Sequence, residues 1–392
     1  MASVLGDAIE YLVTEDAGIH RRAGLLGVSD RVLTLADATA MLANLHAAAP
    51  TPPPSVKTVK THELSLDDPI FDGLKDDYAG FESWFKRAAR TQRDALLIDG
   101  GGRHAAIAII KKEPGGEFGL PGPQLKICTF KVAAEYSGQK YGELLLKALF
   151  DRSRSERSVG LYVTVLDKQS QLIALLRDFG FEPLNEVRTE IGEMVFAKPH
   201  NVPPVPGLSA LASHIRYGTP CVTLDGTQPF VVPIEPRWHR VLFPDAEPPD
   251  DGLFPATLGL STKPFGNALR KAYLCNAPTR LLRPGDPLLF YRSRDEKAVY
   301  VVGVCEDTLV SRNPDEVVAA VGRRTVYSLD EIRALTRLGE VLVVMFRQDR
   351  VFRDDPLTIG ELQAGRVLRS WPQSITRTRK EGASWLAQRL AV

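Results

Sequence analysis

The sequence has few cysteines, no long apolar run and no strong net charge, and each of these absences excludes a class of protein. Its four cysteines, Cys128, Cys221, Cys275 and Cys305, form no CxxC pair, so neither a zinc site nor a disulfide framework is expected. No run approaches the ~18 apolar residues of a membrane span, and the first residues are acidic where a secretory signal would be basic. The net charge of +1 excludes bulk attraction to polyanions. We therefore expect a cytoplasmic protein that makes no membrane contact.

The length and composition are those of a folded protein with two or three domains. Of the 392 residues, 44% are hydrophobic and 25% are charged, which excludes the disordered and fibrous classes. Two proline-rich stretches, APTPPPS and PHNVPPVPG, divide the chain, because proline breaks helices and central strands. The sequence therefore predicts a fragment at 1–48, a linker at 49–55, a middle domain at 56–198, a linker at 199–235 and a C-terminal domain at 236–392.

Both larger domains are predicted to combine helices with strands. In the middle domain, apolar runs predict strands at 105–110, 125–132 and 161–166, and helical spacing predicts helices at 142–150 and 172–179. This alternation predicts a mixed α/β layer. In the C-terminal domain, strands are predicted at 287–292, 298–304 and 341–346, and helices at 266–273, 315–321 and 329–335. That pattern predicts a small β-barrel with accessory helices.

The junction between a strand and a helix in the middle domain is the best candidate for a ligand site. The strand ends near Val132, a short loop carries Gly138 and Lys140, and a helix begins near Tyr141 and Gly142. The unpaired N–H groups of a helix N-terminus carry partial positive charge, and a pyrophosphate binds there without cationic side chains. Lys140 would add a point charge. An ordinary strand-to-helix turn has the same composition, so both interpretations stay open.

Two passages of the middle domain resemble the GNAT superfamily of N-acetyltransferases. The pyrophosphate loop of that family reads Gln/Arg-x-x-Gly-x-Gly/Ala after a strand, and SGQKYG at 137–142 takes its place here. The passage LYVTVLDKQSQLIALLRDFGFEPL at 161–184 has the spacing and the terminal Gly-Phe of the family. The resemblance covers roughly 56–198 and implies a GNAT-like fold, acetyl-CoA as the acetyl donor, and an amine of a small molecule or protein as the acceptor. It implies cofactor contacts for Phe130, Val132, Ser137, Gly138, Gln139, Lys140, Tyr141, Gly142, Glu143 and Gln169.

Four positions depart from the family pattern. Ser137 stands in place of Gln or Arg, Lys140 in place of Gly, and Gln169 in place of Asn. Leu176 stands in place of the tyrosine that protonates the departing thiolate, so a general acid has to come from elsewhere. The acid–base candidates are Tyr162, Tyr141 and Glu135, and further acids near the strands and the loop are Glu113, Glu117 and Glu143. The resemblance also implies that a strand bulge near 130–132 holds the thioester and stabilises the oxyanion.

The N-terminal fragment resembles the C-terminal part of PIN-domain nucleases. The passage YLVTEDAGIHRRAGLLGVSDRVLTLADA contains a strand that ends in Thr14-Glu15-Asp16, and in that family the corresponding aspartate helps to hold Mg²⁺ or Mn²⁺. The other acids of such a site would precede this passage. Asp16 is therefore expected to bind a metal only within a complete PIN domain, and otherwise to cap a helix. With one predicted strand, the fragment should pack on a neighbouring domain or end a larger one.

The C-terminal part resembles the PUA-like group that includes ASCH and EVE domains. The resemblance is carried by PFGNALRKAYLCNAPTRLLRPGDPLLFYRS at 264–293, by the strand AVYVVGV and by WPQSI at 371–375. It implies a cleft for RNA or DNA in which cations contact phosphates and aromatic rings stack on bases. The implied contacts are Arg270, Lys271, Tyr291, Arg292 and Trp371. Alternatively, the aromatic residues belong to the core and the arginines form a solvated face.

The interpretation that combines these passages is a cytoplasmic, acetyl-CoA-dependent N-acetyltransferase joined to a nucleic-acid-binding domain. By analogy, this combination is typical of bacterial stress or toxin–antitoxin regulators. Two alternatives stay open. One is a non-catalytic RNA- or DNA-binding protein with a GNAT-like scaffold, and the other is the C-terminal part of a PIN-domain ribonuclease.

Overall fold

The computed structural model describes residues 1–46, 54–115, 117–200, 205–218, 221–247 and 263–390. The chain forms two compact units. The middle unit comprises Pro54–Asn201, and the C-terminal unit comprises Met1–Pro53 together with Val202–Val392. Helices and strands occur together in both units, so the α/β class predicted from the sequence is confirmed. Of the predicted linker at 49–55, residues 49–53 lie outside the described residues.

The N-terminal segment, described over 1–46, alternates short helices with two very short strands. Its elements are α1 (Ala2–Leu5), β1 (Leu12–Val13), α2 (Ala17–Leu25), β2 (Val32–Leu33) and α3 (Leu35–Leu45). The strands β1 and β2 pair in parallel. The sequence predicted one strand only, because two residues are too few to show alternation. Asp16 caps α2 as expected, since its Oδ1 accepts hydrogen bonds from the N–H groups of Gly18 and Ile19 at 2.7 and 3.1 Å.

This N-terminal segment packs on the C-terminal part of the chain within one compact unit. Tyr11 Oη donates a hydrogen bond to the carbonyl oxygen of Ala319 at 2.6 Å, and Asn44 Nδ2 donates to that of Thr325 at 3.0 Å. Leu33 is buried in the same hydrophobic core as the C-terminal sheet. The shared core supplies the burial that so short a fragment cannot provide by itself.

The middle unit, as far as it is described, is built on one seven-stranded sheet. Its elements are β3 (Val56–Lys60), α4 (Asp72–Asp77), α5 (Phe81–Arg90), β4 (Asp94–Asp99), β5 (His104–Glu113), β6 (Gln124–Val132), α6 (Tyr141–Ser155), β7 (Gly160–Val165), α7 (Ser170–Asp178), β8 (Glu182–Arg188) and β9 (Met194–Pro199). The strand order is β3-β4-β5-β6-β7-β9-β8. Only β6 and β7 are parallel neighbours among the described strands of this sheet, and α6 connects them. The strands and helices predicted for this domain are therefore confirmed.

Different helices cover the two faces of this sheet. Phe81 and Phe85 of α5 pack against Ile107 and Ile109 of β5 on one side, which we call the α4–α5 face. In α5 these residues and Ala88 recur at helical spacing, so they bury one side of the helix. Helix α6 packs against β4, β5 and β6 from the opposite side.

The C-terminal unit, in its described part, contains a second seven-stranded sheet. Its elements are α8 (Ala210–Tyr217), β10 (Phe230–Ile234), α9 (Pro236–Leu242), β11 (Arg270–Cys275), β12 (Pro287–Arg292), β13 (Ala298–Ser311), α10 (Pro314–Val321), α11 (Leu329–Leu338), β14 (Val341–Val351), β15 (Leu357–Thr358), α12 (Ile359–Ala364), β16 (Thr376–Arg377) and α13 (Ala383–Leu390). The strand order is β11-β14-β13-β12-β10-β16, and β15 pairs with β13. No helix among the described residues is both long and apolar enough to cross a membrane.

Two features of this unit differ from the sequence-based expectations. Where a linker is predicted at 199–235, the structure has α8 and β10, and β10 lies between β12 and β16; residues 201–204 and 219–220 of that stretch lie outside the described residues. The predicted helix at 266–273 is wrong, because residues 270–275 form β11. All six residues of β11 pair with β14, and this pairing outweighs the helical spacing of apolar residues in the passage. In addition, Lys271 is a polar position in the sequence pattern, although its side chain is buried.

Candidate active site

The strands β6 and β7 separate in the middle of their sheet. They pair only over Gln124 to Ile127 on β6 and Gly160 to Val163 on β7. Beyond these pairs, β6 continues to Val132 and β7 pairs on its other side with β9. In the described chain, the N–H and C=O groups on this edge of β6 therefore face no strand and are open to an extended ligand. We call this space the β6–β7 gap.

A β-bulge in β6 lies where the two strands separate. Ile109 pairs with Thr129 and Ile110 pairs with Ile127, so Cys128 has no opposite residue on β5. The sequence placed the bulge near 130–132, but residues 129–132 keep a regular register with β5, and the bulge lies earlier in the strand. Burial raises the pKa of the Cys128 thiol, so the side chain stays protonated at neutral pH.

The loop between β6 and α6 presents an uncapped helix N-terminus. Gly138 and Lys140 have positive φ angles of 82° and 60°, and the side chain of the N-cap residue Lys140 makes no capping hydrogen bond to α6. Glycine adopts such angles freely, whereas they are strained for lysine. The first N–H groups of the helix, which is 15 residues long, thus carry partial positive charge toward a ligand.

An ion pair occupies the first turn of α6. Lys140 Nζ lies 3.1 Å from Glu143 Oε1, and both side chains are largely buried. The helix dipole stabilises a carboxylate at this position. The Glu143 carboxylate would repel a phosphate group bound at the same helix end. The positive charge of Lys140 offsets this repulsion.

Gly142 lies at the contact between α6, β6 and α7. A Cβ atom added there would lie 3.1 Å from Leu175 Cδ2 and 3.9 Å from side-chain atoms of Phe130 and Val132. Phe130 and Val132 therefore project toward α6, and by strand alternation Thr129 projects to the α4–α5 face. A side chain larger than glycine at 142 would press on Leu175 and lie against Phe130 and Val132, at the loop end of β6.

The remaining cofactor residues implied by the resemblance lie around the same gap. Ser137 is exposed in the loop beside Gln139. Gln169 precedes the first residue of α7, and its Nε2 donates a hydrogen bond to Asp77 Oδ2 at 3.4 Å. Leu176 is buried, so neither its chemistry nor its exposure allows it to act as a proton donor.

Tyr162 lies on the α4–α5 face, one residue before β6 and β7 separate. It pairs with Lys126 across the parallel ladder, and Lys126 pairs with Lys111 of β5. Residues directly opposite each other on neighbouring strands lie on the same face of the sheet. Lys111 is two residues after Ile109, which packs on the α4–α5 face. Lys111, Lys126 and Tyr162 therefore lie on that face as well. Since adjacent strand residues are ~3.3 Å apart, Tyr162 is close to the point of separation at Val163.

The Tyr162 hydroxyl is held between two carboxylates. Its Oη contacts Glu113 and Glu117, and the ring is fully buried. Glu113 is paired with Lys111 at 2.7 Å, and Glu117 is paired with Lys126 at 3.1 Å. Burial raises the pKa of Tyr162, and both carboxylates raise it further. Burial also acts to raise the pKa of Glu117, but hydrogen bonds with Glu113 and Tyr162 outweigh it and lower that pKa to about 2.

The other two acid–base candidates lie at the loop end of β6. Tyr141 begins α6 and stacks on Tyr136 with ring centroids 5.7 Å apart. Burial raises the pKa of Tyr141, and Tyr136 adds to the increase. Glu135 is exposed in the turn before the loop. Four residues of β6, or ~13 Å of strand, separate the bulge at Cys128 from the end of β6 at Val132, so these two candidates are distant from the bulge.

The structure also brings together two residues that the sequence did not single out. Tyr78 Oη donates a hydrogen bond to Glu193 Oε1 at 3.0 Å, and Thr189 Oγ1 donates to Glu193 Oε2 at 3.2 Å. Glu193 precedes Met194, which pairs with Val165 at the end of β7. Burial raises the pKa of Tyr78, and the Glu193 carboxylate raises it further. No local motif marks this pair, because its members are 115 positions apart.

Most of the residues implied to contact nucleic acid project into the C-terminal unit. Lys271 is fully buried, and its ammonium donates hydrogen bonds to the carbonyl oxygens of Leu242 and Gly266, the latter at 2.6 Å. Tyr291 is 2% exposed and belongs to the core. Arg292 is also buried and is paired with carboxylates, among them Glu247 at 3.0 Å and Asp295 at 2.7 Å.

Arg270 belongs to a network of arginines and carboxylates. Its guanidinium lies 2.6 Å from Glu306 and 3.0 Å from Asp30 of the N-terminal segment. Arg324 and Arg347 also contact Glu306, at 3.0 and 3.3 Å. Burial acts to raise the pKa of Glu306, but the three arginines outweigh it and lower that pKa to about 2. The network ties the N-terminal segment to the sheet of the same unit.

Trp371 differs from the other four residues because 48% of the residue is exposed. Lys297 Nζ lies 4.6 Å from the ring centroid, a cation–π contact. Trp371 is thus partly accessible to solvent, and its contact with nucleic acid stays a prediction. No group of three or more His, Cys, Asp or Glu side chains in the described ranges is placed to hold a metal ion, and a metal role for Asp16 stays a prediction.

The matches to known proteins fall on both units. Residues 59–181 match the model of the acetyltransferase (GNAT) family, a range that contains β6, the loop, α6 and β7. No curated protein matches the chain. The ASCH protein of Zymomonas mobilis is 16% identical, with 41% of this chain and 93% of that chain covered and a TM-score of 0.30.

Two further solved structures are similar to part of the chain. One is described as histone acetyltransferase HPA2 and related acetyltransferase from Corynebacterium glutamicum; it is 16% identical, with 39% of this chain and 99% of that chain covered and a TM-score of 0.30. The other is the KacTA–DNA complex, which is 15% identical, with 37% of this chain and 93% of that chain covered and a TM-score of 0.27.

Proposed function

We propose that this protein is an acetyl-CoA-dependent N-acetyltransferase. The observation that carries the proposal is the β6–β7 gap, which opens beside the uncapped N-terminus of α6. The gap offers unpaired backbone groups to an extended chain, and the helix end offers partial positive charge to a pyrophosphate. The family match over 59–181 supports the same assignment.

The residues around the gap fit such a donor in two ways. Gly138 and Lys140 turn the loop through positive φ angles, which leaves the first N–H groups of α6 directed outward. Phe130 and Val132 line the gap on the α6 side. In this proposal Ser137, Gln139, Tyr141, Glu143 and Gln169 complete the contacts.

The acceptor amine is proposed to approach from the α4–α5 face. The opposite side is filled by Phe130, Val132 and the start of α6. Acetyl-CoA supplies a thioester, whose carbonyl carbon the amine attacks. The chain contributes orientation, an oxyanion contact from the backbone of the β6 bulge, and carboxylates on the α4–α5 face that accept the proton of the amine.

Calorimetric titration of the full chain with acetyl-CoA tests this proposal. We expect micromolar binding by the wild type and at least a hundredfold weaker binding by Gly142→Glu, because the new carboxylate would enter the gap at the helix end. Gly142→Ala is the matched control: its Cβ meets the movable Leu175 side chain but brings no charge, so only a few-fold loss is expected. Absence of binding at millimolar acetyl-CoA would overturn the proposal.

A second function is proposed for the C-terminal unit, which would bind RNA or DNA through Trp371. The exposed ring, the Lys297 ammonium above it and the exposed Arg369 nearby in the chain support this proposal. Aromatic stacking and cationic contacts of this kind suit single-stranded nucleic acid. Such a unit would bring the transferase to nucleic-acid-bound acceptors, as in a cytoplasmic stress or toxin–antitoxin regulator.

A further inference from the structure

We propose that Glu193 is the general base for the acceptor amine, and that Tyr78 and Thr189 are positioning residues that hold its carboxylate. The inference rests on the proposed acetyltransferase function and deepens it, because the sequence and the family pattern left the base unassigned. The inference depends on the position of Glu193, on its hydrogen bonds and on the absence of a cationic partner for it among the described residues.

The position of Glu193 follows from the strand register. Met194 pairs with Val165 and Val195 pairs with Thr164, so Glu193 lies just beyond the end of β7. Glu193 and Val195 alternate onto the same face, and Val195 packs against Tyr162. Glu193 therefore lies on the α4–α5 face, from which the amine is proposed to approach. Val165 is two residues beyond the last pair of β6 with β7, which is ~7 Å along the strand.

The hydrogen bonds of Glu193 orient both carboxylate oxygens. Tyr78 Oη donates to Oε1 at 3.0 Å, and Thr189 Oγ1 donates to Oε2 at 3.2 Å. The Glu193 backbone N–H in turn donates to Thr189 Oγ1 at 3.1 Å. The raised pKa of Tyr78 keeps the phenol protonated, so it remains a donor to the carboxylate. The base is therefore held in one geometry before any ligand binds.

Glu193 differs from the other buried glutamates of this unit in its electrostatic partners. Glu113 is paired with Lys111, and Glu143 is paired with Lys140. In the described chain, both oxygens of Glu193 are bound by neutral hydroxyl groups, although only 7% of the residue is exposed. A buried carboxylate without a lysine or arginine partner favours a cationic guest. An ammonium acceptor would supply that charge.

The ionisable neighbours of the pair are on α4, on the segment before α7 and on β8. Arg188 of β8 donates a hydrogen bond to the carbonyl oxygen of Gly192 at 2.6 Å and is paired with Asp167 at 2.9 Å. Asp77 lies beside Tyr78, and Lys168 is paired with it at 2.6 Å. Gln169 is next to the same phenol and is uncharged. The charge of Lys131 of β6 also acts to lower the pKa of Asp77. The lysines thus neutralise Asp77, and Glu193 is left as the proton acceptor of this group.

The proton balance of the proposed step is simple. The ammonium acceptor gives its first proton to solvent, and its nitrogen then forms a bond to the carbonyl carbon of the thioester. Glu193 takes the second proton from this nitrogen as the C–N bond forms. The C–S bond breaks, and the thiolate of CoA receives the proton from Glu193, which returns to the carboxylate. The products are the amide and CoA thiol.

Thiol release from acetyl-CoA by the full chain tests the assignment, with spermidine, kanamycin and a short lysine peptide as acceptors. For an accepted amine, we expect Glu193→Gln to lower kcat at least a hundredfold while acetyl-CoA binding is unchanged. The wild-type profile of kcat/KM should fall at acidic pH, and this limb should be absent in Glu193→Gln. Tyr78→Phe removes the hydrogen bond that Oε1 of Glu193 accepts, so we expect about a tenfold loss of kcat with an unchanged KM for the amine.

Glu190→Gln is the matched control, because Glu190 is exposed in the same turn and the chemical change is the same. We expect it to keep the wild-type rate and pH profile. If Glu193→Gln kept the wild-type rate and the acidic limb, the assignment would be wrong while the proposed function stood. If the wild type released no thiol with any of the three amines, the proposed function would fail and the assignment with it.

Discussion

The two units of this chain use their polar groups in opposite ways. In the middle unit, polar groups border an open space: among the described residues, β6 has no strand partner on its β7 side beyond Ile127, and the N-cap residue of α6 makes no capping hydrogen bond through its side chain. In the C-terminal unit, basic residues on strands are bound by the protein itself, Arg270 by Glu306 and Lys271 by backbone carbonyls. A basic residue on a strand therefore indicates a polyanion site only where no acceptor of the same fold reaches it first.

The largest effect that this comparison predicts is that the C-terminal unit becomes less stable as the pH is lowered. The pKa of Glu306 is about 2 in the folded chain against an ordinary 4.5. Ionised Glu306 therefore contributes fully to the free energy of unfolding above its ordinary pKa of 4.5. That contribution is lost as the pH falls toward the pKa of about 2 in the folded chain. The difference corresponds to roughly 3 kcal/mol. Urea unfolding at a series of pH values from about 6 to 3 should show this loss.

Glu306→Gln is the variant that isolates this contribution. At neutral pH we expect it to be less stable by roughly 3 kcal/mol, because three arginines lose a buried carboxylate partner. Its stability should also depend less steeply on pH below 5 than that of the wild type. Unchanged stability of the variant would mean that the arginines do not depend on Glu306, and the contrast between the two units would no longer hold.

A smaller effect is expected at Lys271. Lys271→Met keeps much of the buried stem but leaves the carbonyl oxygens of Leu242 and Gly266 without their donor. We expect a loss of roughly 2 kcal/mol in the free energy of unfolding. Thermal unfolding followed by circular dichroism would measure it. If Lys271 contacted a ligand instead, Lys271→Met would weaken the binding of oligoribonucleotides and leave the melting temperature unchanged.

The same contrast explains which parts of the molecule the sequence could predict. The loop at 137–142 and the helix after it are local, so their residue types and spacing indicated the helix end and its partial charge. The strands of the middle unit were predicted because they are continuous apolar runs, as in LYVTVL at 161–166. Asp16 was predicted as a cap for the same reason, since its partners are two and three residues away.

Features that depend on distant parts of the chain were missed. Asp30 and Arg270 are 240 positions apart, and no pattern in either passage indicates their contact. The strand β11 was mistaken for a helix because its identity is decided by pairing with β14. Tyr78 and Glu193 were missed likewise, since the turn that carries Glu193 resembles any polar hairpin turn until β9 pairs with β7.

The smallest effect is expected at Trp371, the one predicted nucleic-acid residue with an exposed ring. Stacking of one base on an aromatic ring contributes ~1–3 kcal/mol, so Trp371→Ala should weaken binding of a single-stranded oligoribonucleotide about fivefold or more. The fold should be little affected, because Trp371 is 48% exposed and does not belong to the buried core of the unit. Lys297→Gln is the companion variant: it should reduce the salt dependence of binding by about one ion while leaving the stacking contribution in place. Filter binding over a salt series measures both. Equal binding by wild type and Trp371→Ala at every salt concentration would place Trp371 with the other four residues, as a part of the fold and not of an interface.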